Sequence, residues 1–141
     1  MMQRGRRIAF DYGDVRIGVA VSDADSIICS PLITLKATDK SLLILISEIF
    51  EEIQPVQIFV GKPALLSGKD GIATDKALAF AALLRGITDV EIVMVDERLS
   101  TVTAARNLRD SGKNAKESKA SIDMAAAVGI LEFAIDCEKR K

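Results

Sequence analysis

The sequence predicts an α/β fold in which a five-stranded mixed sheet carries helices on both faces. Five apolar runs have the length of strands, and amphipathic stretches of helical length separate the later ones. The first three strands follow one another directly, which favours antiparallel pairing. Each of the two later strands follows a helix, which favours parallel pairing. Since 141 residues are the size of one domain, we expect a single domain over residues 1–141.

Three strands are expected first, at residues 7–12, 16–22 and 27–35. A Tyr-Gly-Asp sequence separates the first two and is typical of a tight turn. Pro31 falls within the third strand. Because proline cannot donate to the sheet ladder, this strand is expected at an edge or at a bulge.

Helices and strands alternate over the rest of the chain. Apolar residues at helical spacing predict a helix over 41–53, and Pro55 stops it. The elements expected after it are a strand over 56–60 that ends at Gly61, a loop over 62–71, a helix over 73–85, a strand over 90–95, a helix from Ser100 or Thr101 to about Arg109, and a last helix over about 119–137.

The chain contains no histidine, and this absence removes several kinds of site. A Ser-His-Asp triad, a Cys-His pair and an imidazole metal site are all excluded. The two cysteines, Cys29 and Cys137, show no motif spacing, so zinc is disfavoured as well. Any metal ion would be held by carboxylates and water, which suits Mg²⁺ or Mn²⁺.

The same features indicate a cytoplasmic protein with no membrane partner. Two cysteines without motif spacing are expected to be free thiols in a reducing compartment. The N-terminus shows no apolar region of a signal peptide. No apolar run reaches the length of a membrane span.

Three acidic residues lie where the chain tolerates a charge least. Asp11 ends an apolar run of the first strand, Glu97 directly follows a late one, and Asp123 lies in the most apolar stretch of the C-terminal half. A buried carboxylate is costly unless a positive group satisfies it. If the fold brings the three acids together, their natural partner is a divalent cation bound through oxygen.

Each acid also has an ordinary structural interpretation. Asp11 could begin a hairpin turn, and Glu97 could be an acid in the first turn of a helix. Asp123 could form an ion pair with Lys119, one helical turn earlier. Asp123 nevertheless shares its helical face with small apolar residues, so we expect its side chain to point into the protein.

The net charge of −1 conceals a basic segment at residues 98–119. This segment holds six basic and two acidic residues, a local charge of +4. A solvated helix face is the ordinary interpretation of such a pattern. Beside an acidic metal site, however, basic residues suit phosphodiester chemistry, since they bind the nucleic-acid backbone.

Three ordered motifs resemble those of the YqgF family, whose members are pre-16S rRNA nucleases also called Holliday junction resolvases. The first is Arg-Ile-Ala-Phe-Asp-Tyr-Gly at 7–13, followed by Arg-Ile-Gly-Val-Ala-Val-Ser-Asp at 16–23. The second is Asp-Glu-Arg-Leu-Ser-Thr at 96–101. The third combines Lys119 with Ile-Asp at 122–123 and two alanines at 125–126. The resemblance covers nearly the whole chain and implies a ribonuclease H-like fold.

The resemblance also implies residue roles. Asp11, Glu97 and Asp123 would be the catalytic, metal-binding acids. Residues expected near the scissile phosphate, or supporting the acids or the substrate, are Gly13, Arg16, Gly61, Pro63, Arg98, Ser100, Thr101 and Lys119. Departures from the family pattern occur at Val15, where a lysine is expected, and at Leu65 and Ser67, where an asparagine and an aspartate are expected.

The function expected on this basis is that of a Mg²⁺- or Mn²⁺-dependent endonuclease that processes the 5′ end of pre-16S rRNA. Two ions about 4 Å apart would clamp the attacking water and the leaving oxygen. The alternatives are a Holliday junction resolvase and a non-catalytic nucleic-acid-binding transcription factor of the same fold. The expected partner is nucleic acid, either structured RNA or branched DNA. The sequence leaves open whether the protein is a monomer or a homodimer.

Overall fold

The structure is a computed structural model that describes residues 2–62, 72–96 and 115–141, with the side chains of 72, 73 and 115–122 outside the description. Its elements are β1 (Arg7–Tyr12), β2 (Arg16–Ser22), β3 (Cys29–Lys36), α1 (Leu42–Ile53), β4 (Gln57–Lys62), α2 (Ile72–Arg85), β5 (Ile92–Asp96) and α3 (Ala115–Lys139). The helix expected from residue 100 to about 109 lies outside the described residues, as does most of the loop expected over 62–71. No helix in the described ranges is long and apolar enough to cross a membrane.

The five strands form one mixed sheet in the order β3-β2-β1-β4-β5. The first three strands pair antiparallel, and β4 and β5 join β1 as parallel strands. This topology confirms the predicted sheet. It places the C-terminal ends of β1, β4 and β5 along one edge, where functional groups of α/β sheets usually lie.

The third strand lies at an edge of the sheet and is irregular, as proline predicts. Val19 pairs with Ile33 and Ala20 with Pro31, so that Leu32 has no opposite residue. This extra residue is a β-bulge. The strand begins at Cys29, two residues later than expected, because an Asp23 carboxylate oxygen accepts hydrogen bonds from two turn N–H groups at residues 27 and 28. These bonds, the one from residue 28 foremost, hold the pKa of Asp23 below its ordinary value.

Helices cover both faces of the sheet, as predicted. On one face α1 and α2 pack over an aromatic cluster in which the Phe10 ring lies edge-on to Phe50 at 6.0 Å and to Phe80 at 5.5 Å. The other face is covered by α3, which begins at Ala115, about four residues before the expected start. Its buried residues are small near the site, and this lets the helix approach the strands closely.

Gly18 of β2 marks the closest contact between α3 and the sheet. A Cβ atom at this position would clash with the backbone oxygen of Asp123. No side chain fits into that space without moving the helix. The glycine therefore determines how deeply α3 sits and where Asp123 is held.

We predict that Gly18→Ala lowers the free energy of unfolding by about 1–3 kcal/mol, because the new methyl group overpacks against helix backbone. Gly86→Ala is the matched control, since its Cβ would meet only the Leu83 oxygen at 3.3 Å. Its change should stay below about 1 kcal/mol. Urea denaturation measures both. Equal stability of the two variants would show that α3 is not held against Gly18.

Candidate functional site

An open pocket of about 210 Å³ lies at the end of β1, where the chain turns into β2. Four of the seven residues that line it have acidic or basic side chains. The residues that line it are Asp11, Tyr12, Gly13, Asp14, Val15, Arg16 and Asp123. Two of the three predicted acids thus face one cavity although 112 positions separate them in the chain.

The register of the sheet explains why these acids meet. Asp11 lies directly opposite Gly18 in the β1–β2 pairing, and the backbone of Asp123 contacts Gly18 from α3. Ala9, two residues before Asp11 and on the same side of β1, packs in the α3 core. Asp11 therefore projects from β1 toward the helix that carries Asp123. Both acids are only 5% exposed.

Arg16 forms an ion pair with the helix acid. Its Nε atom donates a hydrogen bond of 2.8 Å to Oδ2 of Asp123. The Asp123 side chain is 7% exposed and the Arg16 side chain 32%. A carboxylate at that depth needs a positive partner to offset its lost hydration. Arg16 supplies this partner and fixes the orientation of the acid.

The rim of the pocket carries a second, exposed ion pair. Lys76 of α2 donates a hydrogen bond of 2.9 Å to Asp14, and this bond raises the pKa of Lys76. The side chains are 46% and 66% exposed, so the pair contributes little to stability. Val15, a departure from the family pattern, lies beside it with 64% exposure. The rim is therefore a solvated surface, unlike the buried acids below it.

The turn at the pocket depends on a second glycine. A Cβ atom at Gly13 would lie 2.7 Å from the carbonyl oxygen of Arg16. Tyr12 is held on the other side, where its ring packs on Phe80 with centroids 4.9 Å apart. Glycine is therefore the residue that fits at position 13 without a shift of the backbone between Asp11 and Arg16.

The structure positions the remaining predicted residues to different extents. Gly61 lies near the end of β4, the strand next to β1, but it does not line the pocket. Lys119 lies in α3 one turn before Asp123, and its side chain is not described. The predicted residues outside the described ranges are Glu97, Pro63, Arg98, Ser100 and Thr101, together with the family departures Leu65 and Ser67.

The donors of the pocket suit a hard divalent ion. Both buried side chains are carboxylates, and carboxylate oxygen is the ligand that Mg²⁺ and Mn²⁺ prefer. Within residues 2–62, 72–96 and 115–141, no group of three or more Asp, Glu, Cys or His side chains is placed to hold a metal ion. Glu97, the third acid expected from the sequence, follows directly on the last residue of β5 and lies outside the described residues.

Neither cysteine belongs to this pocket. Cys29 lies at the start of β3, where burial raises the pKa of its thiol to about 11. At neutral pH little thiolate forms, so Cys29 is a poor nucleophile. Both cysteines are free thiols, as expected from the sequence.

Two features of the site were not predicted from the sequence. The partner of Asp14 is Lys76, which lies 62 positions away on another element, and no local pattern links the two. The contact of Gly18 with α3 did have a signal. An isolated glycine inside an apolar strand often marks the close approach of another backbone.

Comparison with known proteins gives a consistent result. The family model described as "RuvX: Holliday junction resolvase" matches residues 5–137. A relative from Streptomyces avermitilis, named a pre-16S rRNA nuclease, is 42% identical over 140 residues, covering 98% of this chain and 90% of the relative. A relative of the same name from Nocardia farcinica is 46% identical over 141 residues, with 94% and 78% covered.

Solved structures confirm the ribonuclease H-like fold. Thermus thermophilus RuvC aligns with a TM-score of 0.53 at 15% identity and covers 96% of both chains. The structure titled "T. thermophilus RuvC in complex with Holliday junction substrate" aligns with a TM-score of 0.52 at 18% identity and the same coverage. At these identities the likeness concerns the fold.

We predict that Arg16→Gln destabilises the metal-free protein by about 1–3 kcal/mol, because the buried Asp123 carboxylate loses a charged hydrogen-bond donor. Lys76→Gln removes a cation from the exposed pair at the same rim and should leave the stability at the wild-type value. Urea denaturation in the presence of a chelator measures both variants. A stable Arg16→Gln protein would show that the Arg16–Asp123 pair does not hold the acid in place.

Proposed function

The chain belongs to the RuvX family, and from this premise we propose that it cleaves the RNA backbone of pre-16S rRNA at a divalent metal centre formed by Asp11, Glu97 and Asp123. The observation that carries the proposal is the convergence of Asp11 and Asp123, two nearly buried carboxylates on different elements, at one open pocket. Stability alone gains nothing from two buried acids side by side. As ligands of a bound divalent cation, the two carboxylates would have a catalytic function.

The position of β5 supports Glu97 as the third acid. β4 and β5 run parallel to β1, and Asp96 is the last residue of β5. The strand therefore ends at the same edge of the sheet as β1, where Asp11 lies. Glu97 is the next residue along the chain.

Three residues of the pocket have roles in this proposal. Asp11 and Asp123 present carboxylate oxygens, and Arg16 holds Asp123 in orientation through Oδ2. A bound divalent ion would supply an activated water and neutralise charge that develops on the phosphate. Because the chain has no histidine, a carboxylate of the pocket would serve as the general base.

Two observations bear on the substrate. The curated relatives are named pre-16S rRNA nucleases, which supports RNA. The family description names Holliday junction resolvases, which supports branched DNA as the second candidate. A non-catalytic binder is disfavoured, because two buried acids would repel an incoming phosphate. The free thiols Cys29 and Cys137 support a cytoplasmic location.

We predict that Asp11→Asn and Asp123→Asn each lower the cleavage rate more than about 100-fold. Loss of a group that only orients a metal ligand typically costs about 10- to 100-fold in activity, and loss of the ligand itself should cost more. Asp14→Asn is the matched control, because Asp14 lines the same pocket but is exposed and paired with Lys76. Cleavage of a pre-16S rRNA 5′ leader in Mg²⁺ or Mn²⁺ measures the rates. Turnover by Asp123→Asn at the wild-type rate would exclude Asp123 from the mechanism.

The substrate is tested by comparing three nucleic acids under the same conditions. These are the 5′ leader of pre-16S rRNA, a single-stranded RNA of unrelated sequence and a four-way DNA junction. Selective, metal-dependent cleavage of the leader is the expected result. Cleavage of the junction alone would show that the substrate is branched DNA and not RNA.

A further inference from the structure

Two cations lie directly opposite each other on neighbouring strands beside the pocket. Arg16 begins β2, Lys36 ends β3, and the two form a cross-strand pair in the antiparallel register. Opposite residues of antiparallel strands project on the same face, with Cβ atoms about 4.5–5.5 Å apart. Arg16 reaches Asp123 of α3, so both cations project on the α3 face. The pair extends from the acids toward the edge of the sheet.

Both side chains retain unused hydrogen-bond donors. Arg16 has five N–H donors, and its described contacts use only the one on Nε. Lys36 is exposed, and its ammonium forms no ion pair or hydrogen bond with the part of the chain that the structure describes. The nearest acid in sequence, Asp39, instead accepts a hydrogen bond from the N–H of Ser41. Both cations can therefore donate to a further ligand.

Like charges that face each other across two strands destabilise a sheet. Asp123 offsets part of the charge of Arg16, but no described group neutralises Lys36. An anion that bridges both side chains would offset the repulsion. A phosphodiester fits because it offers two oxygens and lies on the chain that the pocket is proposed to cut.

We infer that Arg16 and Lys36 form a binding site for one backbone phosphate of the nucleic acid, next to the scissile one. The site rests on the proposed function for its ligand class. It defines a path for the strand: from the acids of the pocket, across Arg16, to Lys36 at the outer strand β3. Nothing in the backbone phosphate distinguishes RNA from DNA, so the site takes both.

The test is the salt dependence of binding, measured with a chelator present so that cleavage does not interfere. Lys36→Gln should weaken binding of a single-stranded RNA about five-fold at 0.1 M salt and reduce the slope of log K against log salt by about 0.7, the value for one phosphate contact. A DNA duplex should show a reduction of about 0.9. Lys36→Arg should restore most of the affinity.

Lys40→Gln is the matched control. Lys40 is exposed, lies four residues beyond Lys36 and does not face Arg16. If both variants change affinity and slope equally, Lys36 is an ordinary surface charge and the inference fails. The inference also fails if Lys36→Gln alters only self-association, because lysine on an edge strand can serve to block pairing. If wild type binds with the expected slopes but cleaves nothing, the proposed function fails while the phosphate site stands.

Stability provides an independent measurement. Lys36→Glu replaces the repulsion opposite Arg16 by attraction, so we predict a higher Tm than that of wild type. The same variant should bind RNA more weakly than Lys36→Gln, because it adds a negative charge to the path. If Lys36→Glu gains stability and loses affinity for RNA, the lysine at this position serves binding at the expense of stability. A lower Tm, or unchanged affinity, would contradict the site.

Discussion

The site depends on how closely α3 approaches β2. A helix packed on a sheet is normally separated from it by side chains, but at Gly18 no side chain intervenes and the backbone of Asp123 occupies the space. Asp11 lies opposite the same glycine on the next strand. One residue without a side chain thus brings a strand acid and a helix acid to the same place. The small residues of α3 extend this contact along the helix.

That approach has an electrostatic cost, because both carboxylates lose most of their water. Arg16 offsets this cost for Asp123, because its partly buried side chain reaches the buried carboxylate. Its Nε atom donates to the acid, and the side chain as a whole remains 32% exposed at the pocket. The same guanidinium therefore belongs both to the buried acids and to the surface that a phosphate would meet. A lysine, which carries its charge on a single nitrogen, could not serve both sides in this way.

The strands and the helical faces were predictable because apolar periodicity is a local property, and the order of elements along the chain indicated the pairing directions. The burial of Asp11 and Asp123 was predictable for a similar reason, since each of these acids interrupts an apolar run. The pairing of Lys76 with Asp14 was not, because it depends on how α2 crosses the sheet. Nor was the position of Lys36 opposite Arg16, which depends on the bulge at Leu32. A shift of one residue would have turned Lys36 to the other face.

The outer strand determines what kind of chain can lie beside the pocket. β3 carries a proline, a bulge and Lys36, and each of these features hinders the addition of another β-strand. A nucleic-acid backbone needs no ladder of hydrogen bonds and instead gains from the lysine. With a net charge of only −1, the protein has no strong overall field to steer a polyanion, so local order must do so. From β3 inward, the charged groups are the ammonium of Lys36, the guanidinium of Arg16, and the buried carboxylates of Asp11 and Asp123. Under the proposed function, this order would attract a phosphate backbone at the edge, and a bound divalent cation would let a phosphate reach the acids.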